Sequence, residues 1–456
     1  MATFEFFDIF PKILRAGRPV KITVASRFPN CRFVEELRAG GVKLRWISGE
    51  GLLPSGDVPD RWGTWNDLAF TVENAESGIL SFEFTPEGEG EYAFELRRKE
   101  AIGDGDVFCE FGLYALELDL FRLRPWRGDF HVHSNSSECG AHLDDPKFVT
   151  ATARAKGLDF MALTDHMQQE PSRAVAAYWR EAGAGLRVFP GEEVHVLKAP
   201  VPTRYRKNEF YSPIHIVSVG ADDGIVKFQN DRFAEFDAEV SARAGALETS
   251  IPPMLRRMMA ASDWIFDKIH EFHGFGIFCH PFWKPLGRYN LPAPVREYVL
   301  KQRKFDALEV FGLVTDAHWS PLRDGNQLAQ AWWHEACMAR GEMIPVVGTT
   351  DSHNSQVMLG RQYTVVFAPD CGVEAICAAI RAGRSIAVMD HPEENLQLCG
   401  SSRLMKYTQF LYREFYPEQK SACELDGRSM LASLRGGNYD AGLADGVEKL
   451  MKHLWA

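Results

Sequence analysis

From about residue 125 the 456-residue chain repeats one theme: a short apolar run, then a histidine or a carboxylate, then a stretch with helical spacing. Apolar runs stand at 129–133, 160–164, 187–189, 215–219, 276–279, 307–310, 344–347 and 364–367. The helical segments between them have readable ends. Asp145-Pro146 opens one that runs to Gly157, Ser262 is placed to cap 263–272, and another fills 326–340 before Gly341. Repeated β–α alternation predicts a mainly parallel sheet, closed as a barrel or open with helices on both faces. In either form, side chains just past the carboxyl ends of the strands converge on one site.

Those positions carry metal-binding residue types. His131-Val132-His133 closes the first run, and residues i and i+2 of a strand point the same way, so both imidazoles can face one ion. One HxH means little, since chance supplies roughly 0.4 of them in a chain with this histidine content. Here it is joined by Thr164-Asp165-His166, Gly191-Glu192-Glu193 with His195 two residues on, His215 at the head of HIVSVG, His280-Pro281, and Asp351-Ser352-His353. The recurrence at strand ends predicts a metal site. Imidazole mixed with carboxylate suits zinc, iron or manganese better than magnesium or calcium, which prefer oxygen alone. Asp165, beside His166, is placed to orient a neighbour, and His195 to stand behind the ligands. His270 and His273, in HEFH, miss the HExxH spacing by one residue and are read as surface or core-edge residues.

The order HxH, TDH, GxE, strand His, HP, DxH over about 128–391 resembles the PHP family, named for polymerase and histidinol phosphatase. The resemblance implies a distorted TIM-like (β/α)7 barrel holding two or three divalent ions of zinc, manganese or iron. It implies as ligands His131, His133, Glu138, His166, Glu193, His215, His280, Asp351 and His353, with Glu193, Asp351 and His280 in the catalytic machinery. Two positions depart from or strain the pattern. Glu138 stands where the motif usually carries Asp, and Glu192 fits the GxE motif one register over from Glu193.

Ions roughly 3.5–4 Å apart can share a hydroxide at neutral pH and clamp attacking and leaving oxygens. The expected activity is hydrolysis of a small phosphorylated compound; carbamate, ester or amide hydrolysis on the same core, or a metal-stabilised module without turnover, are the other readings. Cations placed to meet phosphate are Arg204, Arg206 and Lys207 between Glu193 and His215, Lys284 and Arg288 after His280-Pro281, and Arg361 after the DxH motif.

The rest of the chain reads differently. Residues 1–124 alternate with period two between Gly, Pro and Asp clusters, as in VKITVAS and LSFEF, and contain no histidine, which predicts an immunoglobulin-like β-sandwich domain. Within a barrel domain at 125–392, residues 221–260 form a polar helical insertion, and 393–456 add a helical extension expected to pack on the barrel. With 51 basic against 62 acidic residues the net charge is −11, and no basic stripe stands out, so no nucleic-acid partner is expected. No leader and no run of roughly 18 apolar residues is visible, which predicts a cytoplasmic protein without a membrane partner. The 9 scattered cysteines read as thiols, and the 11 tryptophans leave room for a homo-oligomeric interface.

Overall fold

A computed structural model describes residues 5–50, 65–100, 106–197, 214–284, 289–312, 322–392 and 395–456. The chain divides into two compact units. The first comprises residues 1–124, 405–422 and 445–456, the second residues 125–404 and 423–444, so the C-terminal extension is shared between them.

In the first unit the strands are β1 (Phe7–Phe10), β2 (Ile13–Arg15), β3 (Val20–Ser26), β4 (Val42–Ser48), β5 (Asn66–Leu68), β6 (Thr71–Asn74), β7 (Ile79–Phe84), β8 (Gly90–Arg98) and β9 (Val107–Leu116). They form two sheets, ordered β1-β3-β7-β6 and β2-β9-β8-β4-β5. Alternate residues of each turn inward and share one core. Ile22, Val24, Leu80, Phe82 and Phe84 come from one sheet, and Leu44, Phe94, Leu96, Phe111 and Leu113 from the other. Phe94 and Phe111 stack at 5.2 Å, and Phe84 meets Phe94 edge-on at 5.1 Å. Period-two alternation thus becomes a two-sheet sandwich.

The second unit is mixed α/β. Its strands are β10 (Arg124–Asp129), β11 (Phe160–Leu163), β12 (Arg187–His195), β13 (His215–Val219), β14 (Phe275–Phe278), β15 (Ala307–Phe311), β16 (Val346–Gly348), β17 (Gln362–Ala368), β18 (Ser385–Met389) and β19 (Gln397–Cys399). They make one sheet in the order β16-β15-β14-β13-β12-β11-β10-β17-β18-β19. The sheet nearly closes on itself. Thr364 of β17 exchanges hydrogen bonds with the Gly348 backbone, and Ser385 of β18 donates to Val346 O at 2.8 Å.

The sheet is less parallel than the alternation suggested. β10–β12 and β14–β16 run parallel, but β13 is antiparallel to both neighbours, and β17–β19 form an antiparallel meander. An antiparallel neighbour needs only a return connection, with no crossover helix, and His195 and His215 are register partners. The first strand also ends earlier than expected. β10 stops at Asp129, and His131 and His133 follow it, held by a single bridge between Val132 and Ser352.

Helix starts follow local chemistry. Asp145 accepts a hydrogen bond from Lys147 N and Pro146 is the first residue of Pro146–Ala155. Ser262, expected as a cap, lies inside the longer helix Pro253–Glu271, where its hydroxyl donates to Met258 O one turn back. The helix expected from residue 326 begins at Leu322. The insertion is helical, with Ile225–Asp231 and Phe233–Gly245 leading into Pro253–Glu271. The nine cysteines are all unpaired thiols. Among the described residues no helix is long and apolar enough to cross a membrane.

Candidate metal centre

Close packing at the bottom of the sheet aims the first ligands. Phe160 of β11 is fully buried and lies where a side chain at Gly128 would stand: a Cβ there would fall 2.1 Å from its ring. Next along β10, the buried carboxylate of Asp129 accepts hydrogen bonds from His131 N and from the amide and hydroxyl of Thr350. It thereby ties the HxH segment to the turn carrying Asp351. His133 N donates to Ser352 O at 2.9 Å, so the two motifs run side by side. Asp351 and His280 both adopt positive φ, 47° and 30°, an uncommon conformation for residues with a Cβ and one that clusters at functional sites.

Glu193 is the centre of the arrangement. Its Oε2 lies 3.2 Å from His131 Nε2, 3.2 Å from His133 Nε2 and 2.9 Å from His166 Nδ1. Its Oε1 lies 2.7 Å from His215 Nδ1 and 3.2 Å from His280 Nε2. Asp351 Oδ1 stands 2.9 Å from His133 Nε2 and 3.3 Å from His131 Nε2. His353 completes that side, its Nδ1 2.7 Å from Asp351 O. Glu192, the alternative in the GxE motif, points the other way and accepts from the amides of Ile225 and Val226. Neighbouring residues of a strand face opposite sides, so only one of the two can reach the cluster.

The electrostatics are those of buried carboxylates and imidazoles packed against one another. Burial pushes the Glu193 and Asp351 carboxyls up, but the surrounding imidazoles outweigh it and hold both well below the usual carboxylate range. Burial likewise disfavours charged imidazoles, yet the same carboxylates hold His131 well above its ordinary value and push His133 up to about 9. His166 and His215 go the other way, down, because burial dominates. A donor set of this kind binds protons or a cation interchangeably. Two buried atoms distinguish these cases. His131 Nε2 and Glu193 Oε2 are 3.2 Å apart, yet neither makes a hydrogen bond. Atoms bonded at 2.0–2.1 Å to one tetrahedral ion lie about 3.3 Å from each other. The residues therefore fit divalent ions. His131, His133, Glu193 and Asp351 form one group, Glu193, His215 and His280 a second, and His133, His166 and His353 a third.

Eight of the nine expected ligands meet here. Glu138 does not: it is exposed and belongs to none of the groups. A cavity of about 240 Å³ opens onto the cluster, lined by His166, Glu193, His215, His280, Trp283, Asp351, His353 and Met358. Neither Lys284 nor Arg361 lines it. Lys284 lies 5.6 Å from the Tyr289 ring, and Arg361 Nε donates to Val357 O. Arg204, Arg206, Lys207 and Arg288 fall outside the described residues. Asp165 orients a neighbour, accepting from Ser134 and from the hydroxyl of Ser137, which in turn accepts from His166 N. His270 and His273 pair with Asp306 and Asp222 away from the cluster.

Three contributors were not singled out in the sequence. Glu309 accepts from Thr349 Oγ1, holds His131 Nδ1 at 3.0 Å and accepts from His280 N at 2.8 Å. A carboxylate on the outer nitrogen fixes the tautomer and turns Nε2 toward the cluster. Asp129, the last residue of β10, is the second; Glu309 alone carried a signal, an acid in the midst of the apolar strand sequence ALEVF. The third is Cys279, whose buried thiol joins His131 and His280.

No family model and no curated protein matches the chain. Solved structures do. Among them are a PHP-like phosphoesterase, an amidohydrolase and an endonuclease. A two-domain protein containing a predicted PHP-like metal-dependent phosphoesterase from Bacteroides vulgatus is 16% identical over 59% of this chain and 66% of that one, TM-score 0.38. An amidohydrolase from Chromobacterium violaceum is 17% identical over 51% and 89%, TM-score 0.30. The lesion-specific endonuclease Q from Pyrococcus furiosus is 18% identical over 57% and 56%, TM-score 0.35. This chain thus spans less than two thirds of the first structure and just over half of the third. All three likenesses fall below a TM-score of 0.5, so what the chain does is argued from its own residues. The expectation of no nucleic-acid partner gains no support from them.

Proposed function

We propose that this chain is a metal-dependent phosphoesterase of the PHP kind, hydrolysing a small phosphorylated compound at a centre of two or three divalent ions. The fold that goes with this reading is a distorted (β/α)7 barrel at 125–392, preceded by an immunoglobulin-like domain. One observation carries it. The two oxygens of Glu193 divide five imidazoles between them, three on Oε2 and two on Oε1. A carboxylate so surrounded is suited to bridge two ions. His131, His133 and Asp351 would complete one position, His215 and His280 the other, with His166 and His353 toward a third.

Zinc, manganese or iron bound there would supply Lewis acidity and lower the pKa of water. The protein supplies the rest. Glu309 and Asp129 hold the ligand-bearing turns, which keeps the donors in place without reorganisation during reaction. Trp283 and Met358 wall the cavity and limit water, and its volume of about 240 Å³ admits a small substrate.

The test is metal analysis of the purified protein followed by assay with Mn²⁺ or Zn²⁺ on phosphate monoesters, phosphodiesters and aryl carbamates. At least two ions per chain and turnover of a phosphate ester are expected, with loss of both in Glu193→Gln. Turnover of carbamates alone would move the assignment to carbon–oxygen or carbon–nitrogen hydrolysis. Bound metal with no turnover would leave a metal-stabilised module, and fewer than two ions would end the multinuclear reading.

A further inference from the structure

Building on that reading, we propose that His195 is a direct ligand of the ion held by His166, and that Glu138 is not. The resemblance to the PHP family gives no ligand role to the second residue after the GxE glutamate, so His195 is a feature of this chain. It shares a strand face with Glu193, two residues away on β12. Its backbone is the register partner of His215, and the two rings stack 4.3 Å apart at 8°. His195 Nε2 lies 3.0 Å from His166 Nδ1, and donor atoms of His166, His195 and His215 all fall within 4.8 Å of one another.

The same His166 nitrogen is 2.9 Å from Glu193 Oε2. Hydrogen bonds satisfy only part of this trio: a proton on His166 Nδ1 can point at Glu193 or at His195, and a proton donated from His195 Nε2 leaves the Glu193 oxygen facing a His166 lone pair, whereas a cation beside His166 Nδ1 relieves both conflicts. The separations of 2.9 and 3.0 Å approach the edge of about 3.3 Å expected for ligands of one tetrahedral ion. His133 is a weaker partner for this ion, since its Nε2 already faces both Glu193 and Asp351. Glu138, which the resemblance assigns to the centre, is exposed and grouped with none of these residues.

The experiment counts metal in the desalted full-length protein by plasma emission, for wild type, His195→Gln and Glu138→Ala, with circular dichroism as the check on folding. His195→Gln should lose one ion per chain, and Glu138→Ala should keep the wild-type number. A second measurement loads His195→Cys with Co²⁺. A ligand at 195 yields a thiolate-to-cobalt charge-transfer band above the wild-type spectrum, in which Cys279 is the native background. A residue that merely positions His166 yields none. No band, or an ion lost from Glu138→Ala but not from His195→Gln, overturns the proposal; where count and spectrum disagree, the band decides. Fewer than two ions in the wild type would instead end the multinuclear reading on which this proposal rests, independently of His195.

Discussion

The two ends of the barrel sheet bury acids in opposite ways. Asp159 and Asp306 sit immediately before β11 and β15, and both are closed off by arginine. Asp159 pairs with Arg154, which also binds Asp426, while Asp306 pairs with Arg381 and His270 and accepts from Gly276 N. At the other end Glu193 and Asp351 face imidazoles, and among the described residues no lysine or arginine lines their cavity. Arginine keeps its proton and cannot ligate a metal, so an acid it pairs with is chemically finished. An imidazole can give up its proton and bind an ion instead. The same kind of buried charge is structural at one end and open to chemistry at the other.

That contrast can be broken by crossing the two readouts. The largest effect belongs to Arg154→Ala, which removes the cation that the buried Asp159 and Asp426 share and leaves them hydrogen bonds from Arg127 N and the Tyr439 hydroxyl. It should cost about 3–5 kcal/mol in denaturant unfolding while leaving metal stoichiometry intact. Equal loss of metal and stability would erase the distinction. Glu309→Gln probes the other end, since the amide no longer offers a charged acceptor to His131 Nδ1. Metal affinity measured against a chelator should fall roughly 10–100-fold, about 1.4–2.8 kcal/mol, with little change in the unfolding of the metal-free protein.

The smallest effect is pH-linked. Burial pushes the Asp306 carboxyl up, but hydrogen bonds from His270, Arg381 and Gly276 outweigh it and hold the group below its ordinary value. Its contribution is present above the unfolded carboxyl pKa, about 3.9, and is lost as pH falls through the lower folded value. Asp306→Asn should therefore be less stable than wild type by roughly 0.5–1 kcal/mol near neutrality. The difference should shrink as the pH drops below about 4. A gap that persists at lower pH would mean that shape, not charge, holds this corner.

What could be read beforehand follows the same division. Pairs at i and i+2 after short apolar runs marked the open end, and His131, His133, Asp351 and His353 do gather there, although both pairs lie beyond the ends of β10 and β16 and are joined by the Val132–Ser352 bridge. Strand direction left no such trace, and β13 runs against its neighbours although its HIVSV sequence resembles any buried strand. Glu309 was hidden inside an apolar run, and its partner atoms come from residues 131, 280 and 349, which no local pattern connects. Glu138 shows the limit of motif position alone: the turn at 134–138 is tied down by Ser134 and Ser137 on Asp165, and the glutamate at its end is exposed.

Gly128 and Phe160 carry a consequence for how this sequence can drift. One aromatic ring fills the volume of two side chains, so the positions share a fixed allotment of space across adjacent strands. A larger residue at 128 requires that 160 shrink, and either exchange made alone costs stability: the first overpacks the core and the second opens a cavity. Because Asp129 and His131 follow within three residues, the pair is locked from both sides, by volume below and by ligand placement above.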